Sequence, residues 1–256
     1  LKATIDSQNS QNKKEYAEVI GVKIFRKSLE EALKKFQSML QSDEVSTIFT
    51  PNTEFIMMAN EDQDFKDILN RSDLNIPDGF GLILASRIQH LGIEEKMAGV
   101  DFMGRMLEIC ARDNLRIYLI GGAPGRAVLA TERIEEQFPG IRIGGSQHGY
   151  FTADQEQEIV DSIASSESDI LFVALGAPRQ EKWIDANRHK LNVKVAMGVG
   201  GSIDIYAGEA TRAPDIFIRL GLEWFYRLIK EPKRIGRMMV IPKFLIKIIS
   251  NKISNH

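Results

Sequence analysis

The chain has 256 residues, 43% hydrophobic and 27% charged, with 20 Gly, 8 Pro and a net charge of −2. That supports one large globular domain, or a domain of about 200 residues with an appendage, and excludes disordered, collagen-like and disulfide-stapled chains. The lone Cys110 excludes an internal disulfide and a multi-cysteine metal site, and it fits a reducing compartment.

Residues 1–17 are polar, without the apolar stretch of a secretory signal, and read as a disordered leader. A strand is predicted over 19–25, then a helix over 28–41, a strand over 45–50 and a helix over 53–70. A short strand at 74–76 precedes helices at 79–90 and 100–113. The alternation continues as strand 116–120, helix 124–138, strand 141–144, helix 153–165, strand 170–175, helix 178–189 and strand 193–199. The run from Ile170 to Leu175 is apolar at every position, as expected of a strand covered on both faces. The pattern predicts an α/β fold, a Rossmann-like and mostly parallel sheet with helices on both faces, over residues 18–211.

Near residue 212 the alternation stops, and 212–256 is predicted to be a helical, basic appendage. Residues 216–256 carry nine Lys and Arg against Glu223 and Glu231, or +7, which leaves −9 on the rest of the chain. In the last segment Lys243, Lys247 and Asn251 recur at helical spacing, with Phe244, Leu245, Ile248 and Ile249 on another side. Such a helix suits the headgroup region of an anionic membrane surface. The alternative is a helix packed on the body or on a neighbouring subunit of a homo-oligomer. No run of about 18 apolar residues reads as a transmembrane span.

Three strands end in glycine turns: Gly121 and Gly122, Gly176, and Gly198, Gly200 and Gly201. Glycine allows close backbone approach, and free N–H groups at a helix start favour phosphate oxygens. The plain alternative is that each glycine only makes a strand-to-helix turn. Three together point to a nucleotide site. No G-x-x-x-x-G-K-[ST] is present, and the Gly198 segment lacks the third glycine of a dinucleotide fingerprint. The four histidines lack zinc-ligand spacing, and neither Ser146 nor Ser202 completes a nucleophile elbow. Asp62 and Asp64 have a D-x-D form used for divalent metals, but in a helical stretch they read as ordinary solvated acids. A Tyr226-x-x-x-Lys230 pair is the only further support for a Rossmann NAD(P) oxidoreductase. Two polar clusters remain, Thr50 with Asn52 after the second strand, and Asp78 at the tip of a short one. Asp78 reads either as a turn or helix N-cap, or as a general base.

The blocks Thr-Pro-Asn at 50–52, Ile-Pro-Asp-Gly at 76–79, Gly-Val-Asp at 99–101 and Gly-Ser-Gln-His-Gly-Tyr-Phe at 145–151 are distinctive. So are Gly-Ala-Pro-Arg-Gln-Glu-Lys-Trp at 176–183, Gly-Val-Gly-Gly-Ser-Ile-Asp at 198–204, Arg-Ala-Pro at 212–214 and Gly-Leu-Glu-Trp-Phe-Tyr-Arg-Leu at 221–228. In this order, over roughly residues 18–240, they resemble the WecG/TagA/CpsF glycosyltransferase family of bacterial surface-polymer synthesis. The basic tail brings the chain nearest to the wall teichoic acid branch.

The resemblance implies transfer of N-acetylmannosamine from a UDP-sugar donor to the 4-hydroxyl of lipid-linked diphospho-GlcNAc, undecaprenyl-diphospho-GlcNAc. The linkage would be β-1,4, formed with inversion, without an essential metal or other cofactor. Relatives use uronic-acid or glucose donors, so the donor sugar is the least determined part. Asp78 matches the family's base, and Thr50 and Asn52 match residues lining the same pocket. Arg227, Arg234 and Arg237 match arginines that complete the site and offset charge on the leaving diphosphate. Gln180 and Asp204 match nucleotide-side positions, and Tyr150 belongs with the glycines among substrate-binding residues. The expected location is the inner face of the bacterial plasma membrane, peripherally bound, and nucleic acid is not an expected partner. The chain departs from the family at Ser146-Gln147-His148, where Thr-His-His is usual. A binding module that docks lipid-linked sugars without catalysis is the remaining class.

Overall fold

A computed structural model describes residues 15–219, 222–230 and 239–254. Its centre is a six-stranded, all-parallel sheet in the order β4-β3-β8-β7-β5-β6. The strands are β3 (Ser46–Phe49), β4 (Leu74–Asn75), β5 (Arg116–Gly121), β6 (Arg142–Gln147), β7 (Ile170–Ala174) and β8 (Val195–Gly198). Successive strand residues point to opposite faces, and the two halves of the core follow that period. Ile117, Leu119, Ile170 and Phe172 enter one apolar cluster, while Tyr118, Ile120, Leu171 and Val173 enter the other. Burying a side chain such as Phe172 contributes about 1.5–3 kcal/mol, so a strand apolar on both faces is stable only between two helical layers.

One layer holds α1 (Leu29–Met39), α5 (Gly99–Arg112), α6 (Arg126–Gln137) and the short α9 (Ser202–Tyr206). The other holds α2 (Thr53–Glu61), α3 (Gln63–Arg71), α4 (Phe80–Gln89), α7 (Glu156–Ser165) and α8 (Arg179–Asn187). Two short helices, α10 (Asp215–Arg219) and α11 (Glu223–Lys230), and a long one, α12 (Val240–Ser254), follow the last strand. Among the described residues no helix is long and apolar enough to cross a membrane.

The structure corrects the sequence reading at three places. The predicted strand 19–25 is a hairpin, β1 (Tyr16–Val19) against β2 (Val22–Phe25), outside the main sheet. Ile20 and Gly21 both take positive φ, the geometry of a tight two-residue hairpin turn. The predicted helix 53–70 breaks at Asp62, whose extended backbone ends α2 and whose carboxylate accepts from Phe65 N–H to start α3. The same carboxylate pairs with Lys182 at 2.6 Å, so Asp62 has a structural task rather than a merely solvated one.

The third correction concerns α12. Phe244 and Ile248, assigned to the membrane-facing side, are fully buried against the helical layer. The end of α4 clasps the helix, because Gln89 donates to Ile248 O and Lys252 donates to Ile88 O. The alternative reading, a helix packed on the body, holds for this face. Ile246, Ile249 and Ile253 are left exposed.

Candidate active site at the carboxyl edge of the sheet

All strands of a parallel sheet end on one side, and a crevice opens where neighbouring connections leave in opposite directions. Here β5 leads outward through α6 to β6, whereas β7 leads the other way through α8 to β8. The carboxyl ends of β5 and β7 therefore flank a switch point, with those of β8, β3 and β4 beside them.

At the β3–β4 side, backbone bonds join two predicted clusters. Ile76 N–H donates to Phe49 O at 3.0 Å and Asp78 N–H to Pro51 O at 2.9 Å. A Cβ on Gly79 would lie 3.8 Å from Asn52 Cβ, so Thr50, Asn52 and Asp78 occupy one corner. Asp78 is half-buried and keeps access to solvent. Asn52 caps α2, its Oδ1 accepting from Glu54 N–H at 2.9 Å and Phe55 N–H at 3.1 Å. Its side-chain oxygen is thereby committed to the fold. Thr50 is 8% exposed and packs against Gly99, where an added Cβ would approach Thr50 Cγ2 to 3.1 Å.

The glycines sort into two kinds. A Cβ at Gly121 would collide with the Ala174 carbonyl, and one at Gly122 would lie 2.8 Å from Arg126 Cβ. At Gly198 it would lie 2.9 Å from Gln180 Nε2. Gly121 and Gly122 also take positive φ, so of these three only Gly198 is glycine through close approach alone. At Gly176, Gly200 and Gly201 a Cβ would meet nothing within 4 Å. Gly176 and Gly200 take positive φ, which accounts for them as turn residues. Gly201 has an ordinary φ of −76° and open space around it, so nothing among the described residues requires glycine there. That opening is the kind of space a ligand needs to approach the backbone closely. α6 and α8 follow Gly125 and Pro178 with no capping side chain, and backbone carbonyls take part of that role: Arg126 N–H donates to Ala123 O and Gln180 N–H to Gly176 O, both at 2.9 Å.

Under the β8 turn, Gln180 is 1% exposed and bridges two groups. Its Nε2 donates to Glu181 Oε1 at 2.6 Å, and its Oε1 accepts from Gly200 N–H at 3.1 Å. Glu181 is fully buried, and its Oε2 has no hydrogen-bond partner among the described residues. Burial pushes its carboxyl up to about 7, against smaller downward pulls from the Gln180 amide and its own backbone N–H.

Tyr150 is 73% exposed at the end of β6, while the neighbouring Phe151 lies under the Arg179 guanidinium at 5.0 Å. Gly149 N–H donates to Gly122 O at 2.9 Å, which ties this loop to the β5 turn. Asp204 is half-buried on α9, and its backbone carbonyl accepts from Glu209 and Ala210 N–H. Of the tail arginines, Arg227 lies on α11 with its side chain outside the described residues, and Arg234 and Arg237 lie outside them altogether. Tyr226 of the Tyr-x-x-x-Lys pair packs its ring on Phe217 at 5.4 Å.

The sequence reading missed several residues that shape this edge. Glu181 sits inside a quoted motif but carries no signal of burial, because an acid on a helix is expected outside. Lys96 pairs with Glu223 of α11 at 3.6 Å, both largely buried, and Asp101 pairs with Arg212 at 2.5 Å. Met97 N–H donates to Pro77 O at 2.9 Å, one residue from Asp78. Asp101, Arg212 and Glu223 lay within the motif blocks, and only the fold shows what they join. Recesses of about 340 and 790 Å³ lie elsewhere; their lining includes ion-paired Lys35, with Glu15, and Arg71, with Asp185, and neither touches a glycine turn.

A six-stranded parallel sheet flanked by helices, with glycine turns along its carboxyl edge, defines an α/β, Rossmann-like fold, the class in which ligands meet the strand ends. The glycosyl transferase WecG/TagA/CpsF family model matches residues 17–256. The chain belongs to that glycosyltransferase family. It is 35% identical over 213 residues to an N-acetylglucosaminyldiphosphoundecaprenol N-acetyl-beta-D-mannosaminyltransferase of Bacillus spizizenii, covering 83% of this chain and 82% of the relative. A protein of the same name from Bacillus subtilis is 36% identical over 208 residues, covering 81% and 80%. One from Staphylococcus aureus is 29% identical over 237 residues, covering 92% of each.

Proposed function

We propose that the protein transfers N-acetylmannosamine from UDP-ManNAc to the 4-hydroxyl of undecaprenyl-diphospho-GlcNAc, with inversion and a β-1,4 linkage. The product would enter wall teichoic acid or a related surface polymer. Support comes from the relatives' shared name over four-fifths or more of the chain. The observation that carries the chemistry is the corner where backbone bonds hold Asp78 beside Thr50 and Asn52 at the crevice edge.

In the proposed step the Asp78 carboxylate takes the proton of the acceptor hydroxyl as its oxygen attacks the donor's anomeric carbon. The bond from that carbon to the diphosphate oxygen breaks, and UDP departs with the electron pair. Thr50 and Asn52 line the pocket that orients the sugars. The diphosphate lies against the Gly176 and Gly200–Gly201 turns, and Arg227, Arg234 and Arg237 offset its growing charge. Gln180 and Asp204 belong to the nucleotide side, and Tyr150 is among the substrate-binding residues. The lipid acceptor brings the enzyme to the inner membrane face, where the exposed Ile246, Ile249 and Ile253 meet the interface and Lys243 meets anionic headgroups.

The test is an assay of the purified full-length chain against a panel of UDP-sugars with a lipid-diphospho-GlcNAc analogue. UDP-ManNAc is expected to be turned over fastest, with UDP as product. Faster turnover of a uronate or glucose donor overturns the choice of sugar, and failure of every UDP-sugar overturns the reading.

A further inference from the structure

Gln180 has an amide that can lie in either of two orientations, and two contacts make one of them right. Its oxygen must face Gly200 N–H and its nitrogen Glu181, because the flipped amide would set N–H against N–H at Gly200 and take the donor away from the Glu181 carboxyl oxygen. Burial sharpens the choice, since an unmatched polar group out of water loses a full hydrogen bond. Gly198 completes the arrangement. Only the absence of a Cβ lets β8 lie against the pair, because a Cβ there would sit 2.9 Å from Gln180 Nε2 and 3.2 Å from Glu181 Oε1.

We propose that Glu181 is a positioning residue for the donor. Its buried carboxyl sets the Gln180 amide, and the amide in turn holds the Gly200 N–H so that the 198–202 turn stands preformed with its open side toward the ligand. This deepens the reading that the turn receives the donor diphosphate, and it rests on that reading. It makes the Gly200 N–H part of the scaffold instead of a phosphate donor, and it gives Glu181 a role although it touches no substrate. The pair is confined to the β8 side, so the acceptor corner around Asp78 is left alone.

The test uses the full-length enzyme and three variants. Glu181→Met keeps the volume but removes the acceptor for Gln180. It is expected to raise the donor KM about tenfold or more, the factor that one buried backbone hydrogen bond controls, with the acceptor KM unchanged. Glu181→Gln retains an acceptor oxygen and is expected to stay within about threefold of wild type, a rescue that a purely packing role does not produce. Hydrogen exchange of the peptide spanning 195–203 is expected to quicken in E181M and not in E181Q. If E181M does not fold, Glu181→Asp withdraws the carboxyl by one methylene and is expected to shift donor KM and exchange in the same direction. A folded E181M or E181D with wild-type donor KM and wild-type exchange overturns the proposal. Failure of the underlying site reading shows differently: exchange then quickens in E181M while the donor KM stays at the wild-type value.

Discussion

Glu181 also leaves a thermodynamic mark that can be measured without substrate. Its carboxyl titrates at about 7 in the folded chain against an ordinary 4.5, chiefly because it is buried. Below pH 4.5 the group is protonated in both states and contributes nothing. Between 4.5 and 7 the folded state keeps the proton while the unfolded state has released it, so the unfolded state binds fewer protons and stability falls as pH rises. Above 7 the loss is complete. At about 1.4 kcal/mol per pH unit, it amounts to about 3 kcal/mol, a large share of the roughly 5–15 kcal/mol that holds a typical domain together. Glu181→Gln removes the titration and keeps the shape. Urea unfolding of both proteins from about pH 5 to pH 8 isolates this contribution, because every other titrating group is common to the pair. The wild type is expected to lose about 3 kcal/mol relative to E181Q across that range. Parallel pH profiles would falsify the assignment of a near-neutral, buried carboxyl.

Asp78→Ala is expected to lower turnover by a factor on the order of 10² or more while UDP binding by calorimetry persists; unchanged turnover removes Asp78 from its role. Gly201→Ala and Gly198→Ala should part company. The first adds a methyl to open space and is expected to leave the melting temperature alone yet raise donor KM about fivefold, whereas the second is expected to cost about 1–3 kcal/mol of stability by overpacking Gln180. Equal melting temperatures for the two would contradict the steric distinction. Replacing Ile246, Ile249 and Ile253 by Ser should abolish sedimentation with anionic vesicles without lowering the melting temperature, since all three are exposed. Phe244→Ala is expected instead to destabilise by about 3–5 kcal/mol, read by denaturation.

The parallel sheet was legible because β5 and β7 are apolar at nearly every position, a pattern with few other solutions. The hairpin at 16–25 was not, since Ile20 is a β-branched residue at positive φ, which sequence reasoning does not expect. Asp62 hid a helix break because an acid in a helical stretch looks like a solvated one until its carboxylate is seen capping Phe65. For α12 the amphipathic pattern was visible, but periodicity cannot say which neighbour an apolar stripe meets, and Phe244 and Ile248 met the body. At the candidate site, Thr50, Asn52, Asp78 and the glycines lie in the expected strand-end loops. Their division of labour was not visible: the letters Gly198 and Gly201 are the same, and only the distances around each show that one accommodates a side-chain pair and the other faces an opening.

The stretch from Lys96 to Asp101 reaches in two directions. One of its amides holds the peptide next to Asp78, and two of its charges grip Glu223 and Arg212 from the far end of the chain. Stiffness around the proposed proton acceptor is thus partly on loan from residues more than a hundred positions downstream. A shortened enzyme lacking everything after residue 211 would lose its basic tail, the brace behind the proposed base and the buried Phe244 and Ile248 of the core, so positioning and stability would suffer together.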